Sequence, residues 1–165
     1  MEKIQIFVTG GTFDKDYNYI TGELYFKDTH LIDMFKQGRS ILNLDVKKLM
    51  MIDSLDMTTE HRSQILKECI NTSSDRILIT HGTDTMVETA KFLEENKMVS
   101  KTIVLTGAMI PIAFGSSSDG FFNLGAALAF VQTLQSGIYI AMNGRYFRWD
   151  NVRKNRKTGY FESIS

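Results

Sequence analysis

Apolar residues in this chain fall into short unbroken runs separated by longer segments of helical period. Three of the runs, at 4–8, 77–79 and 103–105, are each followed by a threonine, with a glycine one or two residues later. Unbroken runs of this length are typical of strands buried on both faces of a parallel sheet. Two further strands are predicted at 45–52 and 137–142.

Helical segments are predicted at 59–71, 84–95 and 118–134, where apolar residues recur three or four positions apart. The residues expected to face the core are His61, Ile65, Leu66, Cys69 and Ile70 in the first, Met86, Ala90 and Leu93 in the second, and Phe121, Leu124, Leu128 and Val131 in the third. Ser118 is the predicted N-cap of the third helix. Alternation of strand and helix predicts a single α/β domain with a doubly wound, mostly parallel sheet, which binds ligands beyond the carboxyl ends of its strands.

Residues 13–26 interrupt this alternation, because aromatic side chains alternate there around Gly22. The pattern predicts a hairpin beside the first strand. Such a hairpin closes over substrate in many enzymes, although an ordinary solvated hairpin fits the same residues.

Composition narrows the class of protein. The 165 residues carry 19 basic and 19 acidic side chains, so no net field attracts nucleic acid or an anionic membrane. Cys69 is the single cysteine; it cannot form an internal disulfide, and we expect it to pack in the core of a cytoplasmic protein. Neither the dinucleotide fingerprint nor the P-loop pattern occurs, so no nucleotide is expected, and histidine spacing predicts no metal site.

Two of the strand ends combine a hydroxyl group with glycine, in Thr9-Gly10-Gly11-Thr12 and in His81-Gly82-Thr83-Asp84. Glycines at 10 and 11 allow a sharp turn that exposes backbone N–H groups beside the Thr12 hydroxyl, as a nucleophile beside an oxyanion site requires. Taken singly, the first motif also fits a plain strand-to-loop turn and the second a helix cap. Together they predict an enzyme that attacks an amide with Thr12 or Thr83.

A threonine nucleophile needs a base, because its hydroxyl group is almost wholly protonated at neutral pH. The three histidines suit this role poorly: His30 falls in a polar loop, His61 on a core-facing stripe and His81 before a glycine. A lysine made less basic by burial is the remaining candidate. The basic run 153–157 contains lysines, but the residues alone do not single out one of them.

The order and spacing of four motifs resemble the bacterial-type L-asparaginase family over nearly the whole chain. These are Thr9-Gly10-Gly11-Thr12, Asp53-Ser54-Leu55-Asp56-Met57, His81-Gly82-Thr83-Asp84-Thr85-Met86 with Glu88-Thr89-Ala90, and Thr106-Gly107-Ala108-Met109 with Ser118-Asp119-Gly120 and Asn123-Leu124. The resemblance implies a flavodoxin-like N-terminal asparaginase domain, and hydrolysis of L-asparagine to L-aspartate and ammonia without metal or cofactor.

The resemblance also assigns roles to single residues. It implies that Thr12 is the nucleophile, assisted by Tyr19 of the lid, and that Thr83, Lys154 and Asp84 form a second, proton-relaying triad. Lys154 is chosen because Asp150-Asn151-Val152-Arg153-Lys154 resembles the family's lysine segment. Ser54 and Asp84 would bind the α-carboxylate and α-ammonium groups of the substrate, and Gly11, Leu55 and Ala108 complete the implied binding set.

The sequence departs from the family pattern in three respects. No counterpart exists for the usual C-terminal domain or for the acidic residue that it lends to a neighbouring subunit, so we expect a short form with weakened substrate positioning. Leu55 and Ile110 occupy positions that are commonly glutamine and arginine in the family. A homo-oligomer, dimer or tetramer, is expected because the family builds its sites at subunit interfaces. Alternatives are an amidase acting on glutamine or another small amide, and a binding module that senses an amino acid without hydrolysing it.

Overall fold

The computed structural model describes residues 2–96 and 100–165. Its strands are β1 (Ile4–Gly10), β2 (Lys15–Asn18), β3 (Glu23–Phe26), β4 (Leu44–Ile52), β5 (Arg76–Thr80), β6 (Thr102–Thr106), β7 (Gly137–Met142), β8 (Arg145–Arg148), β9 (Arg153–Lys154) and β10 (Phe161–Glu162). Its α-helices are α1 (Leu31–Gln37), α2 (Thr59–Asn71), α3 (Met86–Glu95) and α4 (Gly120–Thr133). Three short 3-10 helices, Thr12–Asp14, Ser54–Asp56 and Ile112–Ser117, lie in the connections among the described residues.

The main sheet has six strands in the order β4-β1-β5-β6-β7-β8. All neighbouring pairs are parallel except β7 and β8, which form an antiparallel edge. The chain leaves β1 toward β4 and then crosses to β5 on the other side of β1, which gives the flavodoxin-like order and a switch point between β1 and β5. The predicted doubly wound, mostly parallel α/β fold is confirmed.

The sheet is covered on both faces because its central strands carry apolar side chains in both directions. In β1, Phe7 belongs to a core cluster that also contains residues of α2 and α3, such as Ile65 and Leu93. Ile6 belongs to a second cluster that contains residues of α1 and α4, such as Leu31. Successive side chains of a strand point to opposite faces, so an unbroken apolar run requires helices on both sides.

Some predictions about single helix residues were wrong. Ile70 is 57% exposed and does not face the core. His61 does not join an apolar stripe; its Nδ1 accepts from the Thr58 N–H in a capping box at the start of α2. The N-cap position of α4 falls on Asp119, although the Ser118 hydroxyl does accept the Gly120 N–H at 3.0 Å, which is the bond that an N-cap makes.

The hairpin predicted within residues 13–26 is formed by β2 and β3, which pair antiparallel around Gly22. An ion pair between Lys15 and Asp53, 2.6 Å long, ties it to the end of β4. The ring of Tyr17 contacts that of Phe114 at a centroid distance of 5.7 Å. The hairpin therefore lies at the carboxyl-end edge of the sheet, and its motion as a lid stays a prediction.

No helix within the described parts of the chain is both long enough and apolar enough to cross a membrane.

Candidate active site

Three backbone segments meet at the switch point of the sheet because glycine occupies the contact positions. A Cβ atom on Gly11 would lie 2.4 Å from the Cα of Gly82, and a Cβ atom on Gly82 would lie 2.5 Å from the Oγ of Ser54. Such distances are far inside van der Waals contact, so neither glycine can be replaced without moving backbone or side chain. The contact brings the ends of β1, β4 and β5 together, and the residues that follow the two glycines, Thr12 and Thr83, flank it.

A lysine, a threonine and an aspartate form a hydrogen-bonded cluster beside this contact. The ammonium group of Lys154 donates to the Thr83 hydroxyl at 2.9 Å and to a carboxylate oxygen of Asp84 at 2.8 Å. The Lys154 side chain is only 12% exposed and Thr83 is buried. Of the basic residues at 153–157, Lys154 is therefore the one whose charge is held against a strand-end hydroxyl group.

The cluster also contains a second cation. A guanidinium nitrogen of Arg156 lies 3.5 Å from the same Asp84 oxygen that Lys154 contacts, although the Arg156 side chain is largely exposed. One carboxylate thus faces two positive charges. Asp84 is one-third exposed, so water and a substrate both have access to it.

Thr12 begins the 3-10 helix that follows β1 and is half-buried. Gly11 before it has φ 78° and ψ 178°, a conformation that is essentially confined to glycine. The Gly11 N–H donates to the Ile52 carbonyl at 2.8 Å, so this one of the N–H groups near the Thr12 hydroxyl is engaged within the sheet. Within residues 2–96 and 100–165, the Thr12 and Thr83 amides make no hydrogen bond to the protein.

The remaining residues of the predicted site differ in solvent exposure. Ser54 is buried at the end of β4 and Ala108 is buried after β6, whereas Leu55 is 66% exposed. Tyr19 lies in the loop between β2 and β3 and is 85% exposed. The structure thus brings together Gly11, Thr83, Asp84, Lys154 and Ser54, and leaves the Tyr19 side chain in solvent.

Sequence reasoning did not find Arg62, which joins three segments next to the candidate site by hydrogen bonds. Its guanidinium group donates to the Thr89 hydroxyl at 3.0 Å, to the Met57 carbonyl at 3.0 Å and to the Thr85 hydroxyl at 3.1 Å. The Thr85 hydroxyl in turn donates to the Ser54 carbonyl at 2.7 Å. Arg62 thereby links the Ser54 segment to the start of α3. No local motif in the sequence distinguishes Arg62 from the other polar residues of the helix.

His81 is fully buried next to this network, with Nε2 2.8 Å from the Thr89 hydroxyl. Burial lowers its pKa to about 4, the hydrogen bond with the Gly82 carbonyl opposes the shift, and the charge of Arg62 adds to it. The imidazole is therefore neutral at neutral pH. The geometry favours a packing role for His81 over that of a base for either threonine.

Two surface depressions lie away from this cluster. One of about 560 Å³ is bounded by residues of α4 and β8, and another of about 470 Å³ lies between α1 and α4. Neither is lined by Thr12, Thr83 or Lys154. Among the residues described, no group of three or more His, Cys, Asp or Glu side chains is arranged to hold a metal ion.

Comparison with known proteins gave consistent matches. The family model described as "Asparaginase, N-terminal" matches residues 3–164. The chain is 35% identical to the probable periplasmic L-asparaginase of Haemophilus influenzae over 96% of its own length and 48% of that protein. It is 32% identical to L-asparaginase 2 of Escherichia coli over all of its length and 50% of that protein. The solved structure of the thermostable L-asparaginase from Thermococcus kodakarensis superimposes with a TM-score of 0.84 at 27% identity, covering 98% of this chain and 51% of that one. The chain spans about half the length of the curated relatives that it matches.

Proposed function

This chain belongs to the asparaginase family, and on that basis we propose that it hydrolyses L-asparagine to L-aspartate and ammonia through a threonine nucleophile. The observation that carries the proposal is the contact of the Lys154 ammonium group with both Thr83 and Asp84, 2.9 and 2.8 Å away, beside the joined ends of β1 and β5. An amine that bonds both a hydroxyl and a carboxylate group brings together the kinds of group that nucleophilic amide hydrolysis needs.

The proposed reaction has two covalent steps. The Thr12 oxygen attacks the side-chain amide carbonyl, the C–N bond breaks, and the leaving nitrogen departs as ammonia with the hydroxyl proton. Water then attacks the resulting ester, which releases aspartate and restores the Thr12 hydroxyl. The backbone N–H groups of Thr12 and Thr83, which bond to no other group in the described parts of the chain, are the proposed donors to the tetrahedral oxyanion.

The second triad would move the proton. Thr83, Lys154 and Asp84 are already connected in the order hydroxyl, amine, carboxylate. In this role Lys154 accepts a proton when it is neutral and returns it to the departing nitrogen. Tyr19 would assist Thr12 only after the hairpin closes, because its side chain is 85% exposed in this structure.

Substrate binding is proposed at the same edge of the sheet. Asp84 would bind the α-ammonium group of the substrate, and Ser54 and Gly11 would bind its α-carboxylate. Leu55 and Ala108 would line the space around the substrate side chain. An exposed leucine at 55 offers no hydrogen bond to a substrate. We propose that the chain works in the cytoplasm as a homo-oligomer.

The experiment is ammonia release from L-asparagine and L-glutamine by the wild type and by Thr12→Ala, Thr83→Ala and the control Thr133→Ala. Thr133 is an exposed residue at the end of α4, so its loss should leave turnover unchanged. We expect each active-site variant to lose turnover by roughly 10²–10⁴-fold or more, with an unaltered circular dichroism spectrum. Acid quenching followed by peptide mass spectrometry should locate the aspartyl ester on Thr12.

Three results would contradict the proposal in different ways. Unchanged ammonia release in both threonine variants rejects the site. Faster release from glutamine than from asparagine rejects the substrate assignment. A melting temperature that rises with asparagine, without any ammonia, indicates an amino-acid-binding module.

A further inference from the structure

Two side-chain amide groups, of Asn123 and Asn143, connect the end of β7 to the strand that carries Lys154. The Asn143 side-chain oxygen accepts the backbone N–H of Phe161 at 2.9 Å. Phe161 begins β10 and is paired directly with Lys154 of β9 in a two-stranded antiparallel ladder. Asn143 therefore ties the residue that pairs with Lys154 to the turn that follows β7.

Asn143 is itself held from the side of α4. Its backbone N–H donates to the Asn123 side-chain oxygen at 3.1 Å. The Asn123 amide nitrogen donates to the Gly107 carbonyl at 3.0 Å and to the Asp119 carboxylate at 2.9 Å. Asn123 is only 1% exposed, so its bonds are made away from water and are costly to lose.

The connection closes around the candidate site. Gly107 follows β6, and a Cβ atom on it would touch Thr83 at 3.4 Å. Thr83 accepts the Lys154 ammonium group, and Lys154 is paired with Phe161. The backbone beside the acceptor hydroxyl and the backbone that carries the donor lysine are thus linked through Asn123 and Asn143.

We infer that Asn143 is a positioning residue for the hydrolytic site: its side-chain oxygen holds the β9–β10 ladder so that Lys154 reaches both Thr83 and Asp84. This inference rests on the proposed function for its kinetic consequence, although the placement of Lys154 is measurable without it. Asn143 touches neither the reacting groups nor the proposed substrate position.

A simpler role for Asn143 has to be separated from this one. Asn143 and Gly144 form the two-residue turn between β7 and β8, with φ 56° and 76°, and asparagine followed by glycine is favoured in such turns whatever its side chain contacts. Glycine and aspartate also adopt a left-handed backbone readily. Asn143→Gly therefore keeps the turn and removes the acceptor, whereas Asn143→Asp keeps both.

The first measurement is the rate at which acetic anhydride modifies Lys154 relative to the exposed Lys157, followed by peptide mass spectrometry. In the wild type, Lys154 should react much more slowly, because its ammonium group is enclosed by Thr83 and Asp84. Asn143→Gly should raise the relative rate several-fold, and Asn143→Asp should restore it to the wild-type value. Ser40→Gly is the control: it removes a side-chain oxygen that accepts a backbone N–H, that of Leu42 at 3.4 Å, in an exposed segment that does not contact β9 or β10, and it should leave Lys154 labelling unchanged.

The second measurement is steady-state ammonia release. Asn143→Gly should lower kcat by roughly 10²-fold, the cost of a misplaced catalytic group, with little change in KM, and Asn143→Asp should recover most of the loss. If Asn143→Gly does not fold by circular dichroism, Asn143→Ser, whose hydroxyl is too short to reach Phe161, takes its place in both measurements.

The outcomes are distinct. Equal Lys154 labelling in the wild type and Asn143→Gly overturns the inference, even if kcat falls. Equal labelling changes in the Gly and Asp variants also overturn it, because Asn143→Asp keeps the acceptor oxygen and loss of that oxygen would then not be the cause. A wild-type protein that releases no ammonia overturns the proposed function, while the labelling results still decide whether Asn143 positions Lys154.

Discussion

Lys154 differs from its basic neighbours in the groups that its side chain contacts. Arg153 pairs with Glu162 at 2.9 Å on an exposed surface, and Lys157 is exposed. Lys154 is the member of the run whose side chain is nearly enclosed, in contact with a hydroxyl and a carboxylate group. The basic run looks uniform in sequence, but Lys154 is the residue of the run that is placed to take part in chemistry.

Lys154→Met is predicted to abolish most ammonia release. Methionine retains the length of the side chain but neither accepts nor donates a proton, so turnover should fall by roughly 10²–10⁴-fold. Lys157→Met is the control and should retain activity. Circular dichroism and the melting temperature test whether both variants are folded. A Lys154→Met variant with wild-type turnover would remove lysine from the mechanism.

His81 is predicted to make the fold sensitive to mild acid. Its pKa is lowered to about 4 in the folded protein by burial, whereas an unfolded histidine titrates near 6.5. Because the folded pKa is the lower one, the stabilising contribution is present above about pH 6.5 and is lost as the pH falls toward 4. The difference corresponds to about 3 kcal/mol.

Urea unfolding at a series of pH values between 7.5 and 4.5 measures this effect. His81→Gln, which does not titrate, should lose less stability over that interval than the wild type. Asp14 acts in the opposite sense, since burial raises its pKa and its contribution is present at low pH and lost as the pH rises. Parallel pH profiles for the wild type and His81→Gln would show that His81 carries no linkage.

At the residue scale, sequence reasoning succeeded where a motif fixes the backbone and failed where distant groups meet. Thr83 and Asp84 follow a strand-end glycine, so their place at the sheet edge could be predicted. The engaged Gly11 N–H depends on Ile52, forty-one residues away by sequence number, and Arg62 depends on Thr85 and Thr89. No local pattern encodes such long-range hydrogen bonds.

Among the elements, the connection after β1 is the least tolerant of change. Gly11→Ala is predicted to destabilise the fold by roughly 2–6 kcal/mol, since it combines a strained backbone with a Cβ atom 2.4 Å from Gly82. Gly22→Ala is the control, because Gly22 also has a positive φ, of 74°, but the nearest atom to its Cβ would be 3.9 Å away. That variant should lose only about 1–2 kcal/mol.

Urea denaturation at pH 7.5 compares the two glycine variants with the wild type. Equal losses at the two positions would mean that backbone strain alone matters and that the Gly11–Gly82 contact has relaxed. A larger loss at Gly11 supports the close approach of β1 and β5.

Element prediction followed the strength of the hydrophobic pattern. The five parallel strands and α2–α4 were found within one or two residues of their bounds, because buried apolar runs and helical stripes are repeated over many positions. Helix α1 and the short strands β8, β9 and β10 were not predicted. They are brief, partly exposed segments whose conformation depends on contacts with the rest of the protein, such as the bond from Phe161 to Asn143.

In the whole molecule, both threonine motifs flank the switch point of a six-stranded sheet. This placement follows from topology: β1 and β5 are neighbours whose connections leave in opposite directions, which opens a crevice at their carboxyl ends. The fold class could be predicted from the alternation of elements, whereas the contact of Lys154 with Thr83 joins residues 71 positions apart and required the family resemblance.

The proposed homo-oligomer predicts that specific activity depends on protein concentration. Apolar side chains are exposed beyond the end of β6, where Met109, Ile110 and Phe114 are 38%, 41% and 44% exposed. If assembly completes the site, turnover per chain should fall on dilution in step with dissociation measured by sedimentation velocity. Constant specific activity for a protein that sediments as a monomer would contradict this prediction.

The glycine contact at the switch point also has a consequence for how activity returns after denaturation. Gly11, Gly82 and Ser54 belong to segments that follow three different strands, and their approach requires all three strands to be in register. A refolding chain can regain helical signal before these strands dock, but it cannot regain catalysis. Recovery of turnover should therefore lag behind recovery of ellipticity, and the delay measures the time that the three central strands take to pair in register.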